Sequence, residues 1–166
     1  VQTQLSLGAR MMRGLGTGGD PERGRAAAEV DVAGIRGLCD GADILFLVAG
    51  LGGGTGTGAG PVVARTAREQ GALVLAVGIL PFECEGQRRQ RQAQIGLHEL
   101  KKAADIVICV PNQNVFKLID DSTSLVEAFA LTNDLVAQGL RGIWRLLSKP
   151  GLLNADFADL CALTQG

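Results

Sequence analysis

The feature that most constrains this chain is a glycine-rich stretch, Leu51 to Gly60, between an apolar run and a run with helical character. Glycine loses more conformational entropy on ordering than any other residue, so a dense cluster is expected where the backbone needs positive φ or approaches a ligand closely. The preceding run, residues 43–49, is strand-like, and the following run begins at Pro61. This order would bring backbone N–H groups to a helix N-terminus, where the helix dipole favours anions. The stretch is therefore predicted to bind phosphate.

Other interpretations of the stretch fit less well. A flexible linker is not expected between a strand and a helix start. A Walker-type loop ends in Gly-Lys-Ser/Thr, and no glycine in this chain precedes a lysine. Gly54, Gly56 and Ala59 satisfy the looser dinucleotide fingerprint, which leaves a nicotinamide-dependent oxidoreductase as an alternative. That alternative needs an acidic residue at the end of the second strand, where Leu80 and Pro81 stand, although Glu83 follows closely.

Strand-like and helical patterns alternate after the glycine-rich stretch begins. Three apolar, β-rich runs cover residues 44–48, 73–79 and 106–110, and helical runs near 61–70 and 87–104 separate them. Apolar strands spaced by helices predict an α/β fold, in which helices flank a parallel sheet. Ligands of such sheets bind at the carboxyl ends of the strands, so the loops after residues 48, 79 and 110 are expected to form one site.

Further elements are predicted on either side of this unit. Residues 1–8 alternate apolar and polar side chains as a half-buried strand does. Pro21 is expected to open a helix with Asp20 as its N-cap, and Gly71 to end the helix after Pro61. A long helix over about residues 122–147 is predicted from apolar residues at near-helical spacing, including Leu125 and Trp144, which are expected to be mostly core.

Composition narrows the possible functions. The chain has 166 residues, of which 46% are hydrophobic, enough for one domain with a real core. A net charge of −1 gives no electrostatic basis for non-specific nucleic-acid binding. No apolar run is long enough to span a membrane, and no signal peptide is evident. The four cysteines lack Cys-x-x-Cys spacing, which favours free thiols in a reducing cytosol over zinc or disulfides.

The string from Gly52 to Gly58 resembles the signature loop of the tubulin/FtsZ family, in its bacterial cell-division form. Five further segments resemble FtsZ segments and occur in the family's order, so that the resemblance covers nearly the whole chain. These segments are residues 14–25, 81–89, 110–112, 128–134 and 151–159.

The resemblance implies that two segments hold the phosphates of GTP or GDP. The segment facing the γ-phosphate would consist of Gly16, Thr17, Gly18 and Gly19, with Thr17 at a position where FtsZ commonly has alanine. The signature loop would consist of Gly52, Gly53, Gly54, Thr55, Gly56, Thr57 and Gly58, whose two threonines would add hydroxyl donors. Mg²⁺ would be bound mainly through the nucleotide, with no dedicated protein ligands.

The remaining nucleotide contacts are implied on three other segments. Glu85 and Arg89 would serve the sugar and phosphate end, although four-residue spacing also suits a surface ion pair. Phe129 would stack on guanine, and Asp134 would accept hydrogen bonds from the guanine N1–H and exocyclic amine, helped by Asn112. Asn133, one turn past Phe129 on the same face, would also belong to the nucleotide site. Without the other motifs, an ordinary helix surface would be the better interpretation of Asn133 and Asp134.

The last segment carries the residues implied to be catalytic, Asn154, Asp156 and Asp159. As a bare pair, the two aspartates could be a helix N-cap and its neighbour. In the family this loop enters the nucleotide site of the next subunit, where its carboxylates orient the attacking water. Hydrolysis would then require polymer.

The resemblance predicts a cytoplasmic GTPase that forms head-to-tail filaments at the bacterial division site. Residues 1–147 would be a partial GTP-binding domain that includes the long helix, and residues 148–166 would be the catalytic loop and the start of a next helix. The second domain would be absent, and division-machinery and membrane-anchor proteins would bind through absent regions. The isolated fragment is expected to be inactive. A catalytically inactive structural member of the family is the main alternative.

Overall fold

The computed structural model describes residues 3–12, 16–120 and 122–148 of the chain. The chain forms two compact units, Val1–Pro111 and Asn112–Gly166. The first unit contains α1 (Ala9–Met12), α2 (Pro21–Val30), α3 (Val32–Cys39), β1 (Ile44–Gly50), α4 (Gly54–Glu69), β2 (Leu73–Leu80), a 3₁₀ turn (Glu83–Glu85), α5 (Gln87–Ala103) and β3 (Ile106–Pro111). The second contains a 3₁₀ helix (Asn112–Lys117) and α6 (Leu125–Ser148).

The sheet is parallel and has the order β1-β2-β3, which confirms the predicted α/β fold. Ile44 pairs with Leu73 at the start of β1, and Leu75 pairs with Ile106 at the start of β3. The central strand β2 is buried over its first six residues, as the continuous apolar run predicts. Each strand ends within two residues of its predicted end, so the three loops that follow leave the same edge of the sheet.

Helices α4 and α5 connect the strands and pack against each other as well as against the sheet. The core of this unit lies between α4 and the strands and includes Val62, Val74 and Leu100, all fully or almost fully buried. Asp20 caps α2 by accepting a hydrogen bond from the Glu22 N–H, and Gly71 has a φ of 90° just after α4. Both helix-boundary predictions are therefore confirmed.

Helix α4 begins earlier than predicted. Its first residue is Gly54 and not Pro61, so most of the predicted loop forms the first two turns of the helix. Glycine is a poor helix former, and the composition therefore favoured a loop. The contacts described below explain why glycines occupy these turns: the backbone of α2 and the segment before it lies against them.

The strand predicted over residues 1–8 is not present in residues 3–8, so this prediction is wrong for the part of it that the structure describes. An alternating pattern becomes a strand only where a neighbouring strand supplies hydrogen bonds. Here the Gly8 N–H donates instead to the Asp31 carboxylate between α2 and α3.

Candidate nucleotide-binding site

The signature loop is short and leads directly into a helix. Leu51 and Gly52, at the carboxyl end of β1, are buried, and Gly53 occupies the N-cap of α4 with φ −91° and ψ 177°. The first four N–H groups of a helix have no partner within it, and Gly53 has no side chain with which to cap them. The amides that begin at Gly54 are therefore available to an anion at the positive end of the helix dipole.

The two threonines of the loop have different environments. Thr55 is exposed in the first turn of α4, where its hydroxyl can reach a ligand. Thr57 is only 4% exposed, and its hydroxyl accepts a hydrogen bond of 2.8 Å from the Gly52 N–H. The Thr57 side chain thus fixes the turn between β1 and α4, and Thr55 remains the better placed of the two donors.

Close contacts at the glycines of α4 bring the second glycine-rich segment, residues 16–19, against the first. A Cβ added to Gly54 would lie 2.6 Å from the Thr17 Cβ and 2.7 Å from the Asp20 carbonyl oxygen. A Cβ added to Gly58 would lie 2.6 Å from the Arg25 N and would also meet the Pro21 carbonyl oxygen. Residue 17 and the start of α2 therefore lie directly on α4, so the two predicted phosphate-binding segments are neighbours.

Gly24 belongs to the same contact, although it was not predicted from the sequence. A Cβ at this position would lie 2.9 Å from the carbonyl carbon of Gly54 and would meet the Gly54 carbonyl oxygen. The available signal was a lone glycine inside the alanine-rich helix α2, where glycine costs about 1 kcal/mol relative to alanine. Such a glycine needs a packing reason, and α4 supplies it.

A cavity of about 290 Å³ adjoins this contact and is lined in part by Gly16, Thr17, Gly24 and Thr55. A larger cavity, of about 480 Å³, lies among α2, α4 and α5. The charged side chains that line it already have partners: Arg25 and Lys102 both approach Glu99, and hydrogen bonding by Lys102 lowers the pKa of that carboxyl. Arg65, Arg68 and Glu69 pair with Glu29, Asp105 and Arg36. The smaller cavity, next to the helix N-terminus, therefore offers the better chemistry for an anion.

Glu85 and Arg89 follow β2 and form an ion pair with each other. The Glu85 carboxylate also accepts a hydrogen bond of 2.8 Å from the Phe82 N–H, which closes the turn before α5. Arg89 is 57% exposed and keeps further guanidinium donors for a ligand. Its carbonyl oxygen would lie 2.8 Å from a Cβ added to Gly52, so the segment carrying both side chains borders the loop.

The residues predicted to bind the base lie in the second unit. Asn112 is 3% exposed, and within the described residues its Oδ1 has no hydrogen-bond partner. A buried amide oxygen without a partner is unusual and marks a candidate ligand contact. Phe129, Asn133 and Asp134 are exposed on α6, with Phe129 and Asn133 one turn apart on the same face.

Asn154, Asp156 and Asp159 lie outside the described residues. Within the ranges that the structure does describe, no group of three or more His, Cys, Asp or Glu side chains could hold a metal ion. The part of the chain seen in the structure also contains no helix that is both long enough and apolar enough to cross a membrane.

In this domain, the loop after the first strand of a parallel sheet leads into the N-terminus of a helix, and a second glycine-rich segment lies beside that N-terminus. This arrangement is typical of α/β folds of the nucleotide-binding class. The model of the Tubulin/FtsZ family, GTPase domain, matches residues 1–120. The chain therefore belongs to the tubulin/FtsZ family.

Individual relatives agree with this assignment. The chain is 44% identical over 160 residues to Cell division protein FtsZ of Haemophilus influenzae, which is 96% of this chain and 38% of that protein. It superimposes with a TM-score of 0.88 and 39% identity on a structure described as an empty FtsZ dimer from M. jannaschii, over 95% of this chain and 46% of that one. CetZ2 from Haloferax volcanii, solved as a GTPγS-bound protofilament, matches with a TM-score of 0.73 and 34% identity, over 81% of this chain and 41% of that one. The chain thus spans less than half the length of these relatives.

Proposed function

We propose that this chain is the GTP-binding part of a cytoskeletal GTPase that assembles head to tail into filaments for bacterial cell division. The observation that carries the proposal is the N-terminus of α4, which opens at the carboxyl end of β1 beside Thr17. A relative described as a cell division protein and another solved as a GTPγS-bound protofilament support the assignment.

In this proposal the two glycine-rich segments hold the phosphates, and the second unit recognises the base. Phe129 stacks on guanine, and Asp134 accepts hydrogen bonds from the guanine N1–H and exocyclic amine. Asn112 contributes its unpartnered amide oxygen to the same base. Mg²⁺ is carried mainly by the triphosphate, without dedicated protein ligands.

Base selectivity is tested in the protein encoded by the complete reading frame that contains these residues, called the full-length protein below. Competition binding should show a preference for GTP over ATP. Asp134→Ala should lower GTP affinity by about 1.5–3 kcal/mol, roughly 10- to 150-fold, because guanine loses a charged acceptor. Asp40→Ala, at an exposed aspartate just after α3, is the control and should change nothing. Equal affinity of the unmutated protein for ATP and GTP would refute the assignment of Asp134.

We further propose that hydrolysis is completed between subunits. Residues 148–166 act as a catalytic loop that enters the site of the next subunit, and Asn154, Asp156 and Asp159 orient the attacking water there. Residues 1–147 provide the nucleotide-binding side. Such a reaction needs positioning and charge neutralisation around a magnesium-bound triphosphate and no covalent intermediate. A head-to-tail contact is heterologous, so its repetition produces a filament.

The aspartate variants separate this mechanism from a site within one subunit. Asp156→Ala or Asp159→Ala should leave GTP binding by the monomer near normal. Each variant should raise the activation free energy of turnover by about 3–4 kcal/mol, the range seen when a preorganised polar group is lost. In mixtures, turnover should recover only at contacts where an unmutated neighbour supplies the carboxylates. A variant monomer that loses GTP affinity would place the aspartates in their own subunit's site.

The proposal also includes a location and partners. In it, the protein acts in the cytoplasm at the division site, and proteins of the division machinery and membrane anchors bind through regions other than these residues. A structural member of the family that binds GTP without hydrolysing it is the second candidate, and the turnover measurements distinguish it. The family match gives no support to the nicotinamide-dependent alternative.

A further inference from the structure

Helix α5 presents one stripe of residues to both glycine-rich segments. Arg89, Gln92 and Gly96 are spaced by three and four residues and therefore share a face of the helix. Arg89 borders Gly52 through its carbonyl oxygen, as described above. Gly96 lies against Thr57, because a Cβ at position 96 would lie 2.6 Å from the Thr57 Cγ2. The signature loop is thus held against α5 by close packing at two points.

The segment of residues 16–19 is held much more loosely. Gly16, Gly18 and Gly19 all have positive φ, and a Cβ added to any of them would meet nothing within 4 Å. Packing therefore does not restrict these three residues, and glycine populates several backbone conformations at little cost. Among the described residues, the contacts of the segment include the packing of Thr17 on Gly54, a turn in which the Asp20 N–H donates to the Thr17 carbonyl at 3.1 Å, and a hydrogen bond from α5.

The hydrogen bond from α5 comes from Gln92. Its Nε2 donates to the Gly19 carbonyl oxygen at 3.3 Å, across 73 positions of sequence. The bond holds the peptide group between Gly19 and Asp20 in one orientation. Without it, the glycines of the segment would allow other orientations of that peptide. The bond also joins the segment to the helix that carries Arg89 and supports the signature loop.

We propose that Gln92 is a positioning residue, which holds residues 16–19 against α5 in the conformation that receives the terminal phosphate of a nucleoside triphosphate. The inference rests on the proposed function, in which this segment faces the γ-phosphate. A diphosphate lacks that group and gains nothing from the segment. Gln92 therefore affects triphosphate binding selectively, although its side chain need not touch the nucleotide.

The test compares GTPγS and GDP binding by the full-length protein and three variants. Gln92→Ala and Gln92→Met should each weaken GTPγS binding about 2- to 10-fold, the value of one hydrogen bond, and change GDP binding by less than about 2-fold. Gln92→Met roughly keeps the length of the side chain and adds no charge but lacks the N–H donor, so it separates hydrogen bonding from packing. Gln94→Ala, at an exposed glutamine two residues along the same helix, is the matched control and should bind both nucleotides as the unmutated protein does.

The outcomes are distinct. Equal weakening of GTPγS and GDP by Gln92→Ala would indicate general damage to the site and overturn the positioning role. Unchanged binding of both nucleotides would show that the bond to Gly19 has no part in recognition. If the unmutated protein binds neither nucleotide, the proposed function itself fails, and this inference fails with it.

Discussion

Gly58→Ala tests the close contact between α2 and α4 on which the site is built. A methyl group at residue 58 would lie 2.6 Å from the Arg25 N and would also overlap the Pro21 carbonyl oxygen. Both obstacles belong to the backbone, so no side-chain rotation can relieve the clash. The start of α2 would have to move away from α4.

The expected cost follows from two opposing terms. Overpacking a close-packed contact costs typically 1–3 kcal/mol, and a clash with rigid backbone belongs at about 3 kcal/mol. Replacing glycine by alanine inside a helix returns about 1 kcal/mol. The net loss should be about 2 kcal/mol, which corresponds to a fall in melting temperature of roughly 4–8 °C for a chain of this size.

Urea unfolding of this chain, followed by circular dichroism, measures the change. Gly60→Ala is the matched control, because the same methyl at residue 60 would lie 3.6 Å from the Ala49 Cβ and 4.0 Å from the Leu100 Cδ1, in ordinary van der Waals contact. The control should be as stable as the unmutated chain or slightly more stable. A Gly58→Ala chain that matches the control would refute the claim that packing selects this glycine.

Four further predictions concern this chain alone. Iodoacetamide at pH 8 should label the exposed Cys84 well before Cys39, because burial shields the Cys39 thiol and raises its pKa; peptide mass spectrometry gives the order. Ser124→Ala should cost about 1 kcal/mol in urea unfolding, because Ser124 and Glu127 exchange hydrogen bonds at the start of α6. The bonds that Ser124 donates to the Glu127 carboxylate lower the pKa of that group. Their contribution to stability should therefore be fully present above the ordinary value of 4.5 and be lost as pH falls through the lowered pKa of the folded chain, which unfolding in acidic buffers measures. Calorimetry with GTP and magnesium should find weak binding or none, since the chain spans less than half the length of the FtsZ relatives that it matches, and micromolar affinity would contradict this.

The sheet was predictable from the sequence because its signal is local. Each strand is an apolar run between turn-forming residues, and the structure extends each run by only one or two residues. The N-cap at Asp20 and the glycine at residue 71 are equally local signals. Because the strands were predicted to be parallel, the loops after their carboxyl ends could be predicted to lie at one edge of the sheet.

What the sequence did not reveal depends on contacts between distant residues. The start of α4 at Gly54 was missed because its glycines are needed for contact with α2, which no helix propensity encodes. The bond from Gln92 to Gly19 joins residues that share no motif. The predicted core character of α6 was wrong at Leu125 and Trp144, which are 47% and 55% exposed. Periodicity shows which side chains share a helix face, but not what covers it.

The central claim is that these residues form part of a GTP site that becomes catalytic only when the full-length protein assembles. Its most direct test is the GTP turnover per subunit of the full-length protein, measured over a wide range of protein concentration with magnesium present. Turnover per subunit should be negligible at low concentration, rise above a threshold at which filaments form, and remain absent with ATP. A turnover per subunit that is the same at every concentration, or equal for ATP and GTP, would contradict the account.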